Sequence, residues 1–226
     1  MKTKYILAEF VLVFLFLAVP PLLVSDGNPA ALSGSFSPVV AVQAAIALAL
    51  DIQERICNAT GTAHRQNIHS INNRFAAMVT VLKWLPLTFG LLLVTYAAMQ
   101  TLALLCRTQA APLPALPATP GGVAMLVLSL AVGAYYEEVL YRQYMPQTLL
   151  GLLESRPRLS ALCECIPIFV FALSHRYLGS LSVANALCCG AVLRVCKKKT
   201  GSVYTGTAAH AAYNTFTVLA LYLSGR

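Results

Sequence analysis

Long apolar segments follow one another along most of this chain and constrain its fold more than any other feature. Most of them approach the roughly 20 residues that an α-helix needs to cross the hydrocarbon core of a bilayer. With 58% hydrophobic and only 11% charged residues, the chain has too little polar surface for a soluble globular domain and too much apolar content for intrinsic disorder. The segments lie near residues 5–24, 38–56, 84–105, 123–145, 161–178, 180–196 and 202–224. The sequence therefore predicts an all-α, polytopic transmembrane helix bundle of about seven spans, with six to eight still open.

Basic residues are unevenly divided between alternate connections of this arrangement. Lys and Arg favour the cytoplasmic side of a membrane. With the amino terminus inside, only Arg107, Arg176 and Arg226 of the 16 basic residues fall outside. This pattern predicts a multi-pass protein of the cell (plasma or cytoplasmic) membrane with a cytoplasmic amino terminus. It also explains the net charge of +8 without a nucleic-acid partner. A cleaved signal peptide over residues 1–25 stays open as an alternative to the first span.

A Pro/Ala-rich connector at residues 111–122 divides the chain into two parts. Such composition favours a partly extended loop rather than a helix. Residues 1–110 are predicted to form about three transmembrane helices. Residues 123–226 hold most of the polar side chains that would lie within the membrane. The second part is therefore where we expect a functional site.

Two adjacent carboxylates and an arginine interrupt the fourth apolar segment. Ionisable groups inside spanning helices are costly and indicate function. Glu138 and Arg142 are four residues apart, so they share one helix face and can form an ion pair. Glu137 lies about 140° around the helix axis from Arg142 and must face something else.

Two histidines and an asparagine lie in later segments. His175 is near the end of the fifth segment, whereas His210 and Asn214 share one face of the last. Together with the unpaired Glu137, these groups suit the activation of water and the stabilisation of an oxyanion. Zinc binding by the two histidines and a carboxylate ranks second among enzymatic mechanisms, since an H-E-x-x-H arrangement is absent from the sequence.

Three motifs carry a resemblance to a known family. Their order and spacing resemble the signature of the CPBP intramembrane proteases, which include CAAX proteases, bacteriocin-processing enzymes and the type II CAAX prenyl endopeptidases. The resemblance covers roughly residues 123–224 and implies that residues 123–226 form a catalytic core. Gln143 departs from the family, which commonly has Gly after the arginine. The motifs are Glu137-Glu138-x-x-x-Arg142, Phe171-x-x-x-His175 and His210-x-x-x-Asn214.

The resemblance also implies an activity and roles for residues. The implied activity is that of an endopeptidase acting on membrane-associated peptides or proteins, prenylated CAAX-type substrates among them. Glu137 would activate the attacking water with help from His175. His210 and Asn214 would stabilise the tetrahedral oxyanion. Glu138 and Arg142 would support the site, with no metal and no cofactor.

Two other functions stay open at this point. The same four titratable groups, Glu137, Glu138, His175 and His210, would suit the relay of a proton- or ion-coupled carrier. A non-catalytic immunity or assembly membrane protein would keep the fold without the chemistry.

One geometric difficulty accompanies the protease interpretation. If the fourth helix ends near residue 145, Glu137 and His175 differ in depth by roughly 10 Å, and a helix that continues to about Leu150 would remove most of that difference.

Overall fold

The described residues of the first part of the chain form two helical stretches and one long helix. The computed structural model describes residues 2–23, 38–62, 70–107, 117–153 and 159–223. Helix α1 (Lys2–Val13) continues through a π-helical turn, Phe14–Ala18, into α2 (Val19–Leu23). Helix α3 spans Pro38–Thr62 and α4 spans Ser70–Cys106. The side chains of residues 57–62 and 70–75 in these helices lie outside the described part, as does most of the connector that the sequence predicts.

The second part contains a long interrupted helix and three further helices. Helix α5 (Pro120–Glu137) passes directly into a π-helical segment, Glu138–Tyr144, and then into α6 (Met145–Leu152). The later elements are α7 (Ser160–Leu173), a 3₁₀ turn (Arg176–Leu178), α8 (Ser180–Thr200) and α9 (Val203–Leu223). The described residues contain helices and no strand, which confirms the all-α prediction.

Four helical stretches are long and apolar enough to cross a membrane. They are Lys4–Leu23, Ala76–Cys106, Pro120–Leu152 and Ser180–Thr200. Helix α7 is apolar but has only 14 residues, and polar residues interrupt the apolar runs of α3 and α9. A multi-helix membrane protein is thereby supported. The count of about seven spans and the cytoplasmic amino terminus stay predictions.

Local chemistry explains where several helices begin and end. Thr119 caps α5 by accepting a hydrogen bond from the backbone N–H of Gly122 at 3.1 Å, and Pro120 occupies the first turn, where no N–H is needed. Gly201, with φ of 69°, ends α8 in the left-handed conformation that favours glycine. Gly179, with φ of 95°, separates the 3₁₀ turn from α8. This last glycine is the residue that separates the predicted segments 161–178 and 180–196.

The helix formed by α5 and α6 lies at the centre of the bundle. Helix α3 packs on one side of it and α9 on another, while α4 packs against α8 and α9. One buried cluster joins Ala18, Ala47, Leu140 and Phe171, which come from four different elements. A second joins α4, α8 and α9. Helices of residues 1–110 therefore pack directly against those of residues 123–226, so the division in the sequence is not a spatial gap.

The central helix is longer than the apolar segment that predicted it. It continues to Leu152 as 33 residues, and Glu137 lies close to its middle. This extension agrees with the depth argument, which required a helix to about Leu150. The interruption at Glu138–Tyr144 was not predicted, because a π-helical segment leaves no mark in hydrophobic periodicity.

Candidate active site

Glu138 and Arg142 form the buried ion pair that their spacing predicts. Arg142 Nε lies 3.4 Å from Glu138 Oε1, and each side chain is only 1% exposed. Both residues belong to the π-helical segment, so the pair forms although the local helix is wider than the α-helix assumed from the sequence. The Arg142 guanidinium also lies over the ring of Phe171, with Cζ 3.8 Å from the ring centre. Coulombic and cation–π contacts thus both act on this buried charge.

His210 lies between the two adjacent glutamates. Its Nδ1 is 3.1 Å from Glu138 Oε1, and its Nε2 is 3.6 Å from Glu137 Oε2. Because a carboxylate can only accept, Nδ1 carries a hydrogen and donates it to Glu138. This bond fixes the orientation of the imidazole and directs Nε2 towards Glu137. Helix α9 thereby brings the third motif against the first.

The two glutamates occupy different environments although they are neighbours in the chain. The Glu137 side chain is 25% exposed, whereas that of Glu138 is 1% exposed. Glu138 is fixed by an arginine and a histidine. Glu137 keeps accessible carboxylate surface and has His210 beside it. Adjacent carboxyl groups in contrasting surroundings are typical of sites that divide acid, base and supporting roles.

Phe171 connects the second motif to the other two. Its ring makes edge contacts with Tyr141, His175 and His210, with centroid separations of 5.4, 4.7 and 6.1 Å. His175 Nδ1 lies 2.9 Å from the backbone oxygen of Phe171, so it donates to that carbonyl. The other nitrogen, Nε2, consequently carries the lone pair of the neutral ring. His175 Nδ1 also lies 3.3 Å from Ser174 Oγ, and no direct bond joins His175 to Glu137 between the described residues.

Asn214 lies one turn after His210 on α9 and is partly buried. Its backbone oxygen accepts a hydrogen bond from Thr217 Oγ1. Within the described residues its side-chain amide has no hydrogen-bond partner. The structure thus places the amide on the same helix as His210 and leaves its donors available. Of the six residues to which the resemblance assigns a role, four are joined by direct contacts: Glu137, Glu138, Arg142 and His210.

An ion pair outside the motifs supports the π-helical segment. Arg194 of α8 donates to both carboxylate oxygens of Glu164 on α7, at 2.5 and 2.9 Å. Its remaining nitrogen, Nη1, donates to the backbone oxygen of Arg142 at 2.6 Å. Glu164 is therefore paired with an arginine between α7 and α8. Arg194 was not predicted as a supporting residue. Its signal in the sequence is an arginine within the apolar segment that forms α8.

Gln143 occupies the position where the resembled family commonly has glycine. Its side chain is buried and bonds on both sides: Nε2 donates to Asp51 Oδ1 at 3.1 Å, and Oε1 accepts from Lys197 Nζ at 2.9 Å. The departure therefore introduces a link between α3, the π-helical segment and α8. Asp51 belongs to none of the three motifs and was not predicted as a site residue.

No group of three or more His, Cys, Asp or Glu side chains is arranged to hold a metal ion within the part of the chain that the structure describes. The other two of the chain's four histidines, His64 and His69, lie outside that part. The expectation of metal-free chemistry stays a prediction that a chelator can test.

A protein-family model matches the second part of the chain. Residues 119–216 match the model described as type II CAAX prenyl endopeptidase Rce1-like. The matched region is a little under half of the chain, begins at the residue that caps α5 and contains all seven residues named in the motifs. It confirms the family resemblance that the motifs indicate. No curated protein and no solved structure matches the chain. In general terms, the family match and the apolar helices support a membrane-bound endopeptidase of the CAAX type.

Proposed function

We propose that this protein, whose residues 119–216 match the CAAX prenyl endopeptidase model, hydrolyses a peptide bond of a membrane-associated peptide or protein with Glu137 as the general base. One observation carries the proposal. His210 lies between two neighbouring glutamates, of which one is buried and paired and the other keeps accessible surface. That division of environments is what a carboxylate base beside an electrostatic stabiliser requires.

Glu137 is suited to activate water because it is the accessible member of the pair. Its carboxylate would take a proton from a water molecule as the water oxygen attacks the carbonyl carbon of the scissile peptide bond. When the C–N bond breaks, the same proton would pass from Glu137 to the departing amine nitrogen. The products are a new carboxyl end and a new amino end, and one water is consumed.

His210 and Asn214 are suited to stabilise the negative oxygen of the tetrahedral intermediate. Glu138 accepts from His210 Nδ1, so only a protonated imidazole also has a hydrogen on Nε2. The Asn214 amide supplies a second donor on the same helix.

His175 would assist through the nitrogen that its backbone bond leaves open. Because Nδ1 donates to the Phe171 carbonyl, Nε2 can accept a hydrogen bond from water. The link through Phe171 to His210 supports a position close to the substrate carbonyl. This role, like those of the other five residues, follows the resemblance and is open to direct test.

The substrate class rests on the family match and on the apolar helices. The family model names prenyl endopeptidases of the CAAX type, which suggests a lipid-modified protein carboxyl terminus as one substrate. We propose a location in the cell membrane with a cytoplasmic amino terminus, as the distribution of basic residues indicates.

The test compares three proteins reconstituted at equal folded amounts in vesicles: wild type, Glu137→Gln and Glu9→Gln. Glu9 accepts hydrogen bonds from Gln53 and Tyr144, and glutamine at either position keeps an acceptor. The probes are a farnesylated CAAX-ended peptide and an unprenylated peptide with an apolar membrane anchor, with products identified by mass spectrometry.

Cleavage by wild type and Glu9→Gln, with none by Glu137→Gln, is the expected result. Cleavage of only one of the two probes would then define the substrate class. Equal cleavage by all three proteins would refute Glu137 as the base. If wild type cleaves neither probe but carries protons across the vesicle membrane in a Glu137-dependent way, the carrier interpretation replaces the protease.

A further inference from the structure

Asp51 is a buried carboxylate in the part of the chain that the family model does not match. It lies on α3, and the residue is 4% exposed. Removing a carboxylate from water is costly unless hydrogen-bond donors replace the water. The donors here come from three other elements as well as from α3 itself, so the carboxylate is a junction between helices.

Four side chains donate to Asp51. Gln143 Nε2 reaches Oδ1 at 3.1 Å, while Arg55 Nε and the Tyr135 hydroxyl reach Oδ2 at 3.2 and 3.3 Å. The Tyr204 hydroxyl also donates to Oδ2. The rings of Tyr135 and Tyr204 stack with centroids 6.1 Å apart, which fixes the two hydroxyls beside each other. Such a filled set of donors holds the carboxylate in one position.

Two of the three distant donors are close in sequence to a residue of the proposed site, and the third is close to Gly206, which lies against that site. Tyr135 precedes Glu137 by two residues, and Gln143 directly follows Arg142. Tyr204 precedes Gly206 by two residues on α9. At Gly206 the α9 backbone lies close to the Glu138 carboxylate: a Cβ added there would lie 2.7 Å from Glu138 Oε2. Asp51 therefore fixes the three backbone segments that carry the glutamates, the arginine and the histidine.

Lys197 extends the same network to α8. Its ammonium donates to Gln143 Oε1 and to the backbone oxygen of Gly201, both at 2.9 Å. The Gln143 amide is thus bound at its nitrogen by Asp51 and at its oxygen by Lys197. Rotation of this amide would break both bonds. The position after Arg142 is thereby fixed from two sides.

We infer that Asp51 is a positioning residue for the proposed active site, supplied by the amino-terminal helices. Without its carboxylate, Tyr135, Gln143 and Tyr204 lose their common acceptor, and the segments that bring His210 between Glu137 and Glu138 are no longer fixed to one another. The inference rests on the proposed function. It assigns to residues 1–110 a part in catalysis that the family match, confined to residues 119–216, does not contain.

Asp51→Asn is the principal test, because asparagine has nearly the same shape but replaces one acceptor oxygen by a donor. Gln53→Ala is the matched control on α3, since Gln53 bonds to Glu9 of α1 and not to the site elements. Cleavage of the farnesylated peptide and of the anchored peptide is measured at equal folded amounts in vesicles. We expect kcat to fall about tenfold to hundredfold in Asp51→Asn with KM within threefold of wild type, because small displacements of catalytic groups reduce turnover strongly. Gln53→Ala is expected to stay within twofold of wild type in both constants.

Tyr135→Phe and Tyr204→Phe keep the inference testable if Asp51→Asn does not fold. Each removes one hydroxyl donor and keeps the ring, and each is expected to lower kcat about threefold to tenfold. Turnover within twofold of wild type in the folded variants, or a loss confined to KM or to the amount of folded protein, would overturn the inference.

Wild type and Glu137→Gln are assayed alongside. If wild type cleaves and Glu137→Gln does not, a null result at Asp51 refutes only the positioning role. If wild type cleaves neither probe, the proposed function falls and the positioning role falls with it.

Discussion

Gly206→Ala places a methyl group against the carboxylate at the centre of the proposed site. The added Cβ would lie 2.7 Å from Glu138 Oε2, whereas ordinary van der Waals contact begins near 3.4 Å. Either α9 or the carboxylate must therefore move by about 0.7 Å. Glu138 cannot rotate away at low cost, because His210 and Arg142 hold its other oxygen at 3.1 and 3.4 Å. A displacement of that size is enough to break the hydrogen bond to His210, since contacts near 3.6 Å no longer count as bonds.

The expected effect is much larger on activity than on stability. Overpacking costs about 1–3 kcal/mol, and the better helix propensity of alanine returns about 1 kcal/mol. The free energy of unfolding should therefore fall by only about 0–2 kcal/mol. Turnover should fall about tenfold to hundredfold, because the imidazole loses its fixed orientation beside Glu137.

Gly133→Ala is the matched control, since a Cβ at that position meets nothing within 4 Å. It lies on α5, the helix that also carries Glu137, and should leave turnover unchanged while stabilising the helix by about 0.4–1 kcal/mol. Peptide cleavage per folded molecule and resistance to thermal unfolding in vesicles measure the two quantities. Turnover by Gly206→Ala within twofold of wild type would refute the contact between α9 and Glu138 as a determinant of the site.

Other substitutions test the buried charges separately. Arg142→Ala should reduce the amount of folded protein in membranes, because it leaves Glu138 with an uncompensated buried charge at a cost of about 3–5 kcal/mol; normal abundance would argue against the pair. Arg194→Ala should lower the unfolding temperature by removing both bonds to Glu164 and the bond to the Arg142 carbonyl. An unchanged unfolding temperature would show that Arg194 does not support the π-helical segment. Phe171→Ala should destabilise the protein by about 3–5 kcal/mol as the buried ring is lost, and a smaller cost in a thermal-unfolding measurement would show that the ring is not central. Activity should survive treatment with a chelator, and its loss and recovery on adding zinc would move the site towards metal catalysis.

The sequence predicts those features that depend on one helix at a time. The presence and order of the helices follow from the apolar segments, although α4 begins at Ser70, well before its segment at residue 84, and the central helix continues past residue 145. The Glu138–Arg142 pair follows from residues four apart on one face. The continuation of the central helix beyond residue 145 could also be predicted, because the protease interpretation needs Glu137 and His175 at similar depths. These predictions need only the geometry of a single helix and the thickness of a membrane.

Contacts between helices could not be predicted from the sequence. The position of His210 between two glutamates depends on how α9 packs against the π-helical segment. The spacing of residues along the chain predicts neither the rotation of α9 about its axis nor the presence of the π-helical segment. Asp51 lies in a part of the chain with no motif, so nothing marks it as the partner of Tyr135, Gln143 and Tyr204. Its single signal in the sequence is a carboxylate within an apolar helix.

Cleavage of the farnesylated peptide in heavy-oxygen water, by wild type and Glu137→Gln at equal folded amounts, tests the central claim most directly. Mass spectrometry should find one heavy oxygen in the new carboxyl end produced by wild type and no product from Glu137→Gln above that of empty vesicles. Product formation by Glu137→Gln at the wild-type rate, or a new carboxyl end without heavy oxygen, would contradict hydrolysis by a water that Glu137 activates.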